Sequence, residues 1–595
     1  MARVIGFDFG TTNSLISVIE GDTCYSFLDK DSVLPHPSVI SYQGSQTIIG
    51  RKAKERLSTA GTGVMGNIVK SPKSLLGQNK VYVEGVARSP KEMVAAIVGF
   101  VKQDAQDQEP GDYDAAVVTI PVDMNGPRRR ELREAFHIAG INIVQFIHEP
   151  LAALYGHLRA NENFEEELQR LDRELVLVFD WGGGTLDLTL CQIVDGMLVQ
   201  IMNDGCSNVG GDVIDDIISN EIVQRLLKQR NIEEMLPIQP EARQRLLDRA
   251  ERMKIELSEK DKASIFLPNY FQTEKFDPDI EYFLGRQELE NMVNEKIELG
   301  IQRIHAILEK AGINPASIAL CLATGGMVGM PLIQSRLREI FGPQRLNVSE
   351  RGNTIISEGA AWIAHDKANL SLAKNVELLV ARDSYFPAIK AGVQMPREGD
   401  VQKSELLSMY CTDPRDGIAK FQIMAPKKPG RNIQKTDERD ILSNFSVEVD
   451  SKADPLFERI ELQINIDENL ILNVSAKSLI KGDEDNVEIH NLEFGLSLPS
   501  LNKKNDSHES ISFEQQNEGR VVGSINIRAN VTESQSNGLV PGELLYQKNP
   551  YYFDQRNRVP EIQQQEKLYY TPCSYCGRVA NHPLCHCSGD SRNYI

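Results

Sequence analysis

Two short stretches carry the same arrangement of acid, glycine and hydroxyl. Residues 3–20 read RVIGFDFGTTNSLISVIE and residues 175–194 read LVLVFDWGGGTLDLTLCQIV. Each is an apolar, β-rich run into Phe-Asp, an aromatic and glycine, then threonine, then a second β-rich run. A glycine turn lets backbone N–H groups reach phosphate oxygens, and threonine hydroxyls add donors. Asp8 and Asp180 suit a hydrated Mg²⁺, which keeps several waters and is reached through one or two carboxylates. One such turn is compatible with any β-turn; two at matching positions point to a magnesium–nucleotide held between them. Two other phosphate motifs are excluded. The chain has no Gly-Lys dipeptide, so it has no Walker A loop. The literal G-x-G-x-x-G at Gly61, Gly63 and Gly66 follows a charged helical segment instead of a strand, and is no dinucleotide fingerprint.

The elements that must position these turns are legible around them. Each turn closes a β-hairpin. Residues 115–121 (AAVVTIP) form a buried-type strand, and in 128–140 Leu132, Ala135, Phe136 and Ala139 keep helical spacing up to Gly140. Long helices are predicted over 241–258 and 287–310. A strand over 318–323 runs into Thr324-Gly325-Gly326, and helices follow from Pro331 and over 354–367. A repeated hairpin with strands and helices in both halves predicts a duplicated, actin-like α/β unit of two lobes with a cleft between them.

That unit spans 1–366, with a linker over 367–377. From 378 to 498 alternation replaces helical periodicity. Ile460, Leu462, Ile464 and Ile466 face one way, then a turn at Asp467-Glu468-Asn469, then Leu470, Leu472, Val474 and Ala476. This predicts an antiparallel β-sandwich. Residues 499–565 are rich in Ser, Asn, Gln and Glu and are predicted mostly disordered, with one strand allowed within 521–531. Residues 566–595 form a small tail with Cys573, Cys576, Cys585 and Cys587. These four thiols fit a structural Zn²⁺ site, a redox-active pair or no ligand at all.

The chain of 595 residues carries a net charge of −19. That balance argues against nucleic-acid binding, which needs clustered Lys and Arg. No window approaches the roughly 18 apolar residues of a membrane span. Asp8 interrupts the apolar start where a secretory signal needs an unbroken run. The expectation is a cytoplasmic protein without a membrane partner.

The motifs GFDFGTTNS, HEPLAALYG, VFDWGGGTLDLTL, GGDVIDD, ERMKIELS and LATGG occur in this order and resemble the heat-shock 70 chaperone family. LQINIDENLILNVSAKS resembles the family's peptide-binding sandwich. The resemblance covers about residues 1–498. It implies an ATPase that converts ATP to ADP and phosphate with Mg²⁺ and thereby controls the binding of extended apolar segments of unfolded proteins. It also implies J-domain and nucleotide-exchange partners. Residue by residue it places Asp8 and Asp180 at the Mg²⁺ waters. Gly10, Thr11, Thr12 and Asn13, and Gly182, Gly183, Gly184 and Thr185, fall around the phosphates. Lys73 faces the γ-phosphate and its attacking water, with Lys70 one turn away as the alternative. Glu149 stands near the metal, and Asp187 supports the second loop. Gly210 and Gly211 form a third phosphate-side turn. Glu251, Lys254 and Ser258 share a helix face toward the adenosine, and Gly325 and Gly326 close that pocket. Pro121 and Arg129 match a pair that relays the nucleotide state.

Departures stand beside the likeness. After LATGG the family has a Ser-Thr-Arg run whose arginine lies against adenine; here Met327, Val328 and Gly329 follow, and Ile255 is apolar where a charge is usual. Only Glu377-Leu378-Leu379-Val380 resembles the acidic, leucine-rich linker. No sustained amphipathic helix follows the sandwich, so the helical lid is expected to be missing. Leu407 and Phe421 are candidate peptide-pocket residues, with a place in the core as the plainer reading. The rival functions are an actin-like scaffold or filament ATPase and a metabolite kinase on the same fold.

Overall fold

The computed structural model describes residues 3–498 apart from 60–66, 84, 162, 233–237, 274–275, 381–383, 401–403, 412 and 431–432; beyond 498 it describes only the backbone of 525–526. The predictions for Gly61–Gly66, for the disordered segment, for the missing lid and for the cysteine tail therefore lie outside the described residues.

The internal repeat is a repeat of sheets. In the first lobe the strand order is Asn142–His148, Ala115–Ile120, Val4–Phe9, Asn13–Glu20, Thr23–Ser26. In the second it is Leu346–Val348, Ile318–Thr324, Leu175–Trp181, Leu186–Val194, Met197–Cys206. In both, the first two pairings are parallel and the last two antiparallel. The central strands are almost wholly buried, which is why they read as unbroken apolar runs instead of alternating ones. Behind the first sheet, helices Glu149–Arg159 and Ile355–His365 pack backbone to backbone. A Cβ on Gly359 would lie 1.8 Å from Ala152 O, and one on Gly6 2.2 Å from Ala361 N, so glycine is required at both.

The helices predicted over 241–258 and 287–310 are Pro240–Glu259 and Arg286–Ala311. Pro at the first turn of one and Gly312 in the left-handed region past the end of the other mark their limits.

The third unit is the β-sandwich. One sheet runs Ser384–Ile389, Val376–Val380, Ile418–Pro426, Arg439–Glu448; the other runs Glu484–Ile489, Leu472–Ser478, Arg459–Ile466, Ser404–Tyr410, with the short strand Ile525–Asn526 on its edge. Ile460, Leu462, Ile464 and Ile466 all point into the core, as the alternation predicts. Leu470 does not belong to the following strand. It takes φ 60° in the turn held by Asp467, whose Oδ1 accepts the N–H groups of Asn469 and Ile471. Glu377-Leu378-Leu379-Val380, the stretch with linker-like composition, is likewise inside the sandwich, with Glu377 and Leu378 hydrogen-bonded between two neighbouring strands. Its leucines are core residues.

Sandwich and lobes are joined by strand addition. Phe494–Ser497, which follows the sandwich, pairs with Met197–Cys206 of the second lobe, and Leu370–Leu372 pairs with Phe494–Ser497 in turn. The second-lobe sheet is thus extended to seven strands by segments that flank the sandwich in sequence.

Candidate functional site

Each hairpin turn is closed by the same hydrogen bond. Gly10 N–H donates to Asn13 O over 2.9 Å, and Gly182 N–H donates to Thr185 O over 2.9 Å. The acid that precedes each turn is fixed by a threonine from the adjacent parallel strand. Thr119 Oγ1 donates to Asp8 Oδ1 at 2.7 Å, and Thr324 Oγ1 to Asp180 Oδ1 at 3.0 Å. The turns also touch each other. A Cβ on Gly183 would fall 2.2 Å from Thr12 Oγ1, and one on Gly184 2.9 Å from Thr11 Oγ1. The third loop closes on the same point: Gly211 N–H and Asp212 N–H donate to Gly182 O and Gly183 O, and a Cβ on Gly210 would lie 2.5 Å from Gly183 O.

Between the acids lies a cation. Lys73 is 2% exposed, and its Nζ donates to Glu149 Oε1 at 3.0 Å. It is delivered by a single 3₁₀ turn, Pro72–Leu75, entered through Ser71 in the left-handed region. Lys70, the alternative, points elsewhere: its Nζ sits 3.0 Å from Asp212 Oδ1 and 3.5 Å from Glu251 Oε2. Burial, reinforced by the charge of Glu149, raises Asp8 to about 6 and Asp180 to about 7. Burial with Glu149 and Asp123 also raises Asp187, which accepts Val122 N–H at 3.2 Å. Three carboxylates share one lysine and Asp187 stands by Glu149, which leaves an excess of negative charge that a divalent cation would relieve.

The residues fit a magnesium-bound triphosphate on one further observation. Thr12 Oγ1 is buried and has no hydrogen-bond partner, beside turns stripped of side chains at Gly182, Gly183 and Gly184. Asp8 and Asp180 are the carboxylates placed to hold a hydrated Mg²⁺, which is usually reached through one or two carboxylates.

The helix face carrying Glu251, Lys254 and Ser258 comes together with these loops. Glu251 bridges the cleft to Lys54 at 2.8 Å and to Lys70. Burial opposes its ionised form, but Lys70 and Lys54 outweigh it and hold the carboxyl down at about 2. Lys254 Nζ pairs with Asp215 at 2.7 Å and donates to Gly211 O, and Ser258 Oγ donates to Lys254 O. Gly325, at φ 88°, presses against Trp181 O and Asp180 and admits no side chain; Gly326 opens the next turn and is exposed.

The site's back wall reaches the sandwich. Arg129 is fully buried and donates to the carbonyls of Asn469, Leu470, His490 and Val122 over 3.1–3.4 Å. Burial without an ion pair brings its guanidinium down to about 9, partly offset by Asp467 and Asp123. Arg133 holds Asn469 Oδ1 and Glu468 O, and Arg130 pairs with Glu488. His148, the residue before Glu149, lies edge-on to Phe494, and Gln200 Oε1 accepts from both the His148 ring and Phe494 N–H. Leu407 and Phe421 are interior to the sandwich, Phe421 stacked on Phe445 at 5.1 Å.

Thr119, Thr324, Lys54, the docking residues Arg133 and Gln200, and Asn203, whose Nδ2 donates to Leu492 O at 3.5 Å, were not singled out from sequence. The two threonines had a signal, since each lies at or next to the end of the strand parallel to the one that carries the acid. The others have none, because their partners lie up to several hundred residues away.

A family model described as Hsp70 protein matches residues 4–539. The Chaperone protein DnaK of Mycoplasmoides gallisepticum is 29% identical over 546 residues, 88% of this chain and 88% of that one. The Chaperone protein DnaK of Thermosipho melanesiensis is 29% identical over 512 residues, 84% of this chain and 82% of that one. The chain belongs to the Hsp70 family, whose members are ATPases that use ATP and ADP with Mg²⁺. The scaffold and filament reading is not favoured. Among the described residues no helix is long and apolar enough to cross a membrane.

Proposed function

We propose that this protein is an ATP-dependent molecular chaperone whose nucleotide site is built from the two matched turns, with Lys73 as the catalytic cation. The observation that carries it is the symmetric pair of threonine-fixed aspartates on either side of a buried Lys73–Glu149 pair. In this reading Gly10–Asn13 and Gly182–Thr185 cradle the phosphates, with Gly210 and Gly211 as the third turn. Asp8 and Asp180 would hold Mg²⁺ through its waters, and the ion when bound would supply positive charge to the phosphate oxygens. Glu149 holds Lys73 in place through its 3.0 Å contact, and Asp187 braces the second turn. Lys73 then needs no reorganisation to stabilise the charge that develops on the transferring phosphoryl group and to orient the attacking water.

The docked sandwich supports coupling of that site to peptide capture. Among the described residues Arg129 has only main-chain oxygens as hydrogen-bond partners, so undocking leaves a buried guanidinium to rehydrate and a turn to relax. Peptide capture belongs at the end of the sandwich remote from this turn, where Phe457, Leu479 and Ile480 are exposed. Extended apolar peptides are the substrates. J-domain and exchange-factor partners, a cytoplasmic setting and a zinc-stapled cysteine tail go with this reading as expectations.

The test is Mg-ATP turnover of the full chain with and without an extended apolar peptide. Stimulation by peptide is expected. Turnover indifferent to peptide, with ATP-dependent light scattering that grows with protein concentration, would return the reading to a filament.

A further inference from the structure

One strand of the sandwich has an edge that the sandwich itself does not cover. Ser404–Tyr410 pairs along its whole length with Arg459–Ile466, from Ser404 opposite Asn465 to Tyr410 opposite Arg459. Among the described residues its other side meets only the backbone of Ile525–Asn526, with Leu407 opposite Ile525 and Ser408 opposite Asn526. An open strand edge is a template for an extended chain, whose main-chain groups give affinity while its side chains give selection. Here the chain added to the edge is a later part of the same polypeptide.

The pairing is parallel, so the backbone at Asn526 is directed toward the Tyr410 end of the strand. That is the end with the exposed apolar residues: Tyr410 stands opposite Arg459, whose carbonyl accepts Leu479 N–H at 3.0 Å, and Phe457, Leu479 and Ile480 are exposed beside it. The sequence around Ile525 has the chemistry of the peptides proposed above as substrates. Residues 521–531 read VVGSINIRANV, with six apolar side chains, Ile525 and Ile527 at strand spacing, and no acid between Glu518 and Glu533. Its one charge is the cationic Arg528, in a chain of net charge −19. The stretch from Leu498 to Ile525 is 27 residues long. A tether of that length keeps an attached segment at about millimolar effective concentration, so modest intrinsic affinity is enough to fill the edge.

We infer that the segment 521–531 is an internal competitor, occupying the edge of Ser404–Tyr410 of its own chain until an extended apolar peptide displaces it. The inference rests on the peptide-capture reading above and adds a regulation of that site. The experiment measures binding of a fluorescent extended apolar peptide, by anisotropy, to the full chain and to the full chain carrying Ile525→Asp and Ile527→Asp, charges that disfavour an apolar edge. A segment filling the edge about nine-tenths of the time raises the apparent dissociation constant about tenfold, so the variant should bind the probe about tenfold tighter. A synthetic peptide of residues 521–531 should displace the probe from both proteins, from the variant at about tenfold lower concentration. Equal probe affinity in parent and variant would overturn the inference and leave peptide capture standing. A synthetic peptide that does not displace the probe from the parent would overturn it too, whether or not the variant folds. Masking that deepens as the protein concentration rises would assign the segment to a second copy and overturn the intramolecular contact. Probe binding by neither protein would remove the peptide-capture reading itself, and the inference with it.

Discussion

The turn of the first lobe and the turn of the second share a closing hydrogen bond, a threonine-fixed aspartate and a place in the same strand order, yet they divide the work unequally. Gly10-Thr11-Thr12-Asn13 supplies hydroxyls, and Gly182-Gly183-Gly184-Thr185 supplies room. The second turn is bare where Thr11 and Thr12 press against it. Duplication thus preserved the backbone and the threonine-fixed acid while the side chains in between became complementary. The single lysine between the turns has no copy: Lys73 comes from a 3₁₀ turn of the first lobe and is paired with Glu149 of the same lobe.

The comparison is broken most completely by removing what both turns share. Lys73→Ala should lower turnover by about 10²- to 10³-fold, the usual cost of deleting one preorganised charge at a reacting centre. ATP affinity should change by no more than about threefold, because only the transition state develops the extra charge. Single-turnover hydrolysis beside equilibrium binding checks both numbers. A parallel loss in affinity and rate would make Lys73 a phosphate ligand and not the catalyst.

The same comparison is sharpened by testing equivalent glycines. A Cβ on Gly10 would lie 2.4 Å from Asn13 O, inside the turn that this carbonyl closes, whereas one on Gly182 would sit 3.7 Å from Thr185 O in ordinary contact. Gly10→Ala should therefore weaken ATP binding by about tenfold to a hundredfold, corresponding to roughly 1–3 kcal/mol of forced backbone shift. Gly182→Ala should cost less than about threefold. Binding isotherms of the two variants decide it, and equal losses would mean that the turns are not divided as described.

Much of this was legible in the sequence, and the reasons are local. The hairpins, the helix over 240–259 and the inward run Ile460 to Ile466 follow from periodicity and glycine within a few residues. The acids and glycines of the site were recognisable because the motif occurs twice. Leu470 escaped because a single aspartate, Asp467, bends the backbone there against the alternating pattern. Composition alone does not separate a buried strand from a leucine-rich linker at Glu377–Val380, because the two share it. The strand addition of Phe494–Ser497 to the second lobe had no local signal. It depends on Gln200 and Asn203, nearly three hundred residues earlier, meeting Phe494 N–H and Leu492 O.

Where the turns are alike, their variants should behave alike. Thr119→Val and Thr324→Val each remove one hydroxyl from a buried aspartate and keep the shape of the side chain. Each should reduce Mg-ATP affinity by about fivefold to tenfold, near the roughly 1 kcal/mol that a typical intramolecular hydrogen bond contributes net. Titrations at fixed Mg²⁺ should give two losses within a factor of two of one another. A loss confined to one threonine would place the metal at that aspartate alone.

The smallest effect belongs to the contact that the two lobes make away from the phosphates. Glu251→Gln removes the carboxylate that Lys54 and Lys70 share across the cleft. Both lysines keep some water contact and Lys70 keeps Asp212, so the loss should be about 1 kcal/mol, seen as nucleotide release faster by about fivefold. Because Lys70 and Lys54 hold the Glu251 carboxyl near 2, below its ordinary 4.5, the clamp is fully present above about pH 4.5 and is lost as the pH falls toward 2. Release of ADP measured by stopped flow should accordingly show no contribution from this group between pH 6 and 8 in the parent chain. It should be faster throughout in Glu251→Gln. Equal release rates in the two proteins would mean that the lobes are held together by the phosphate turns alone.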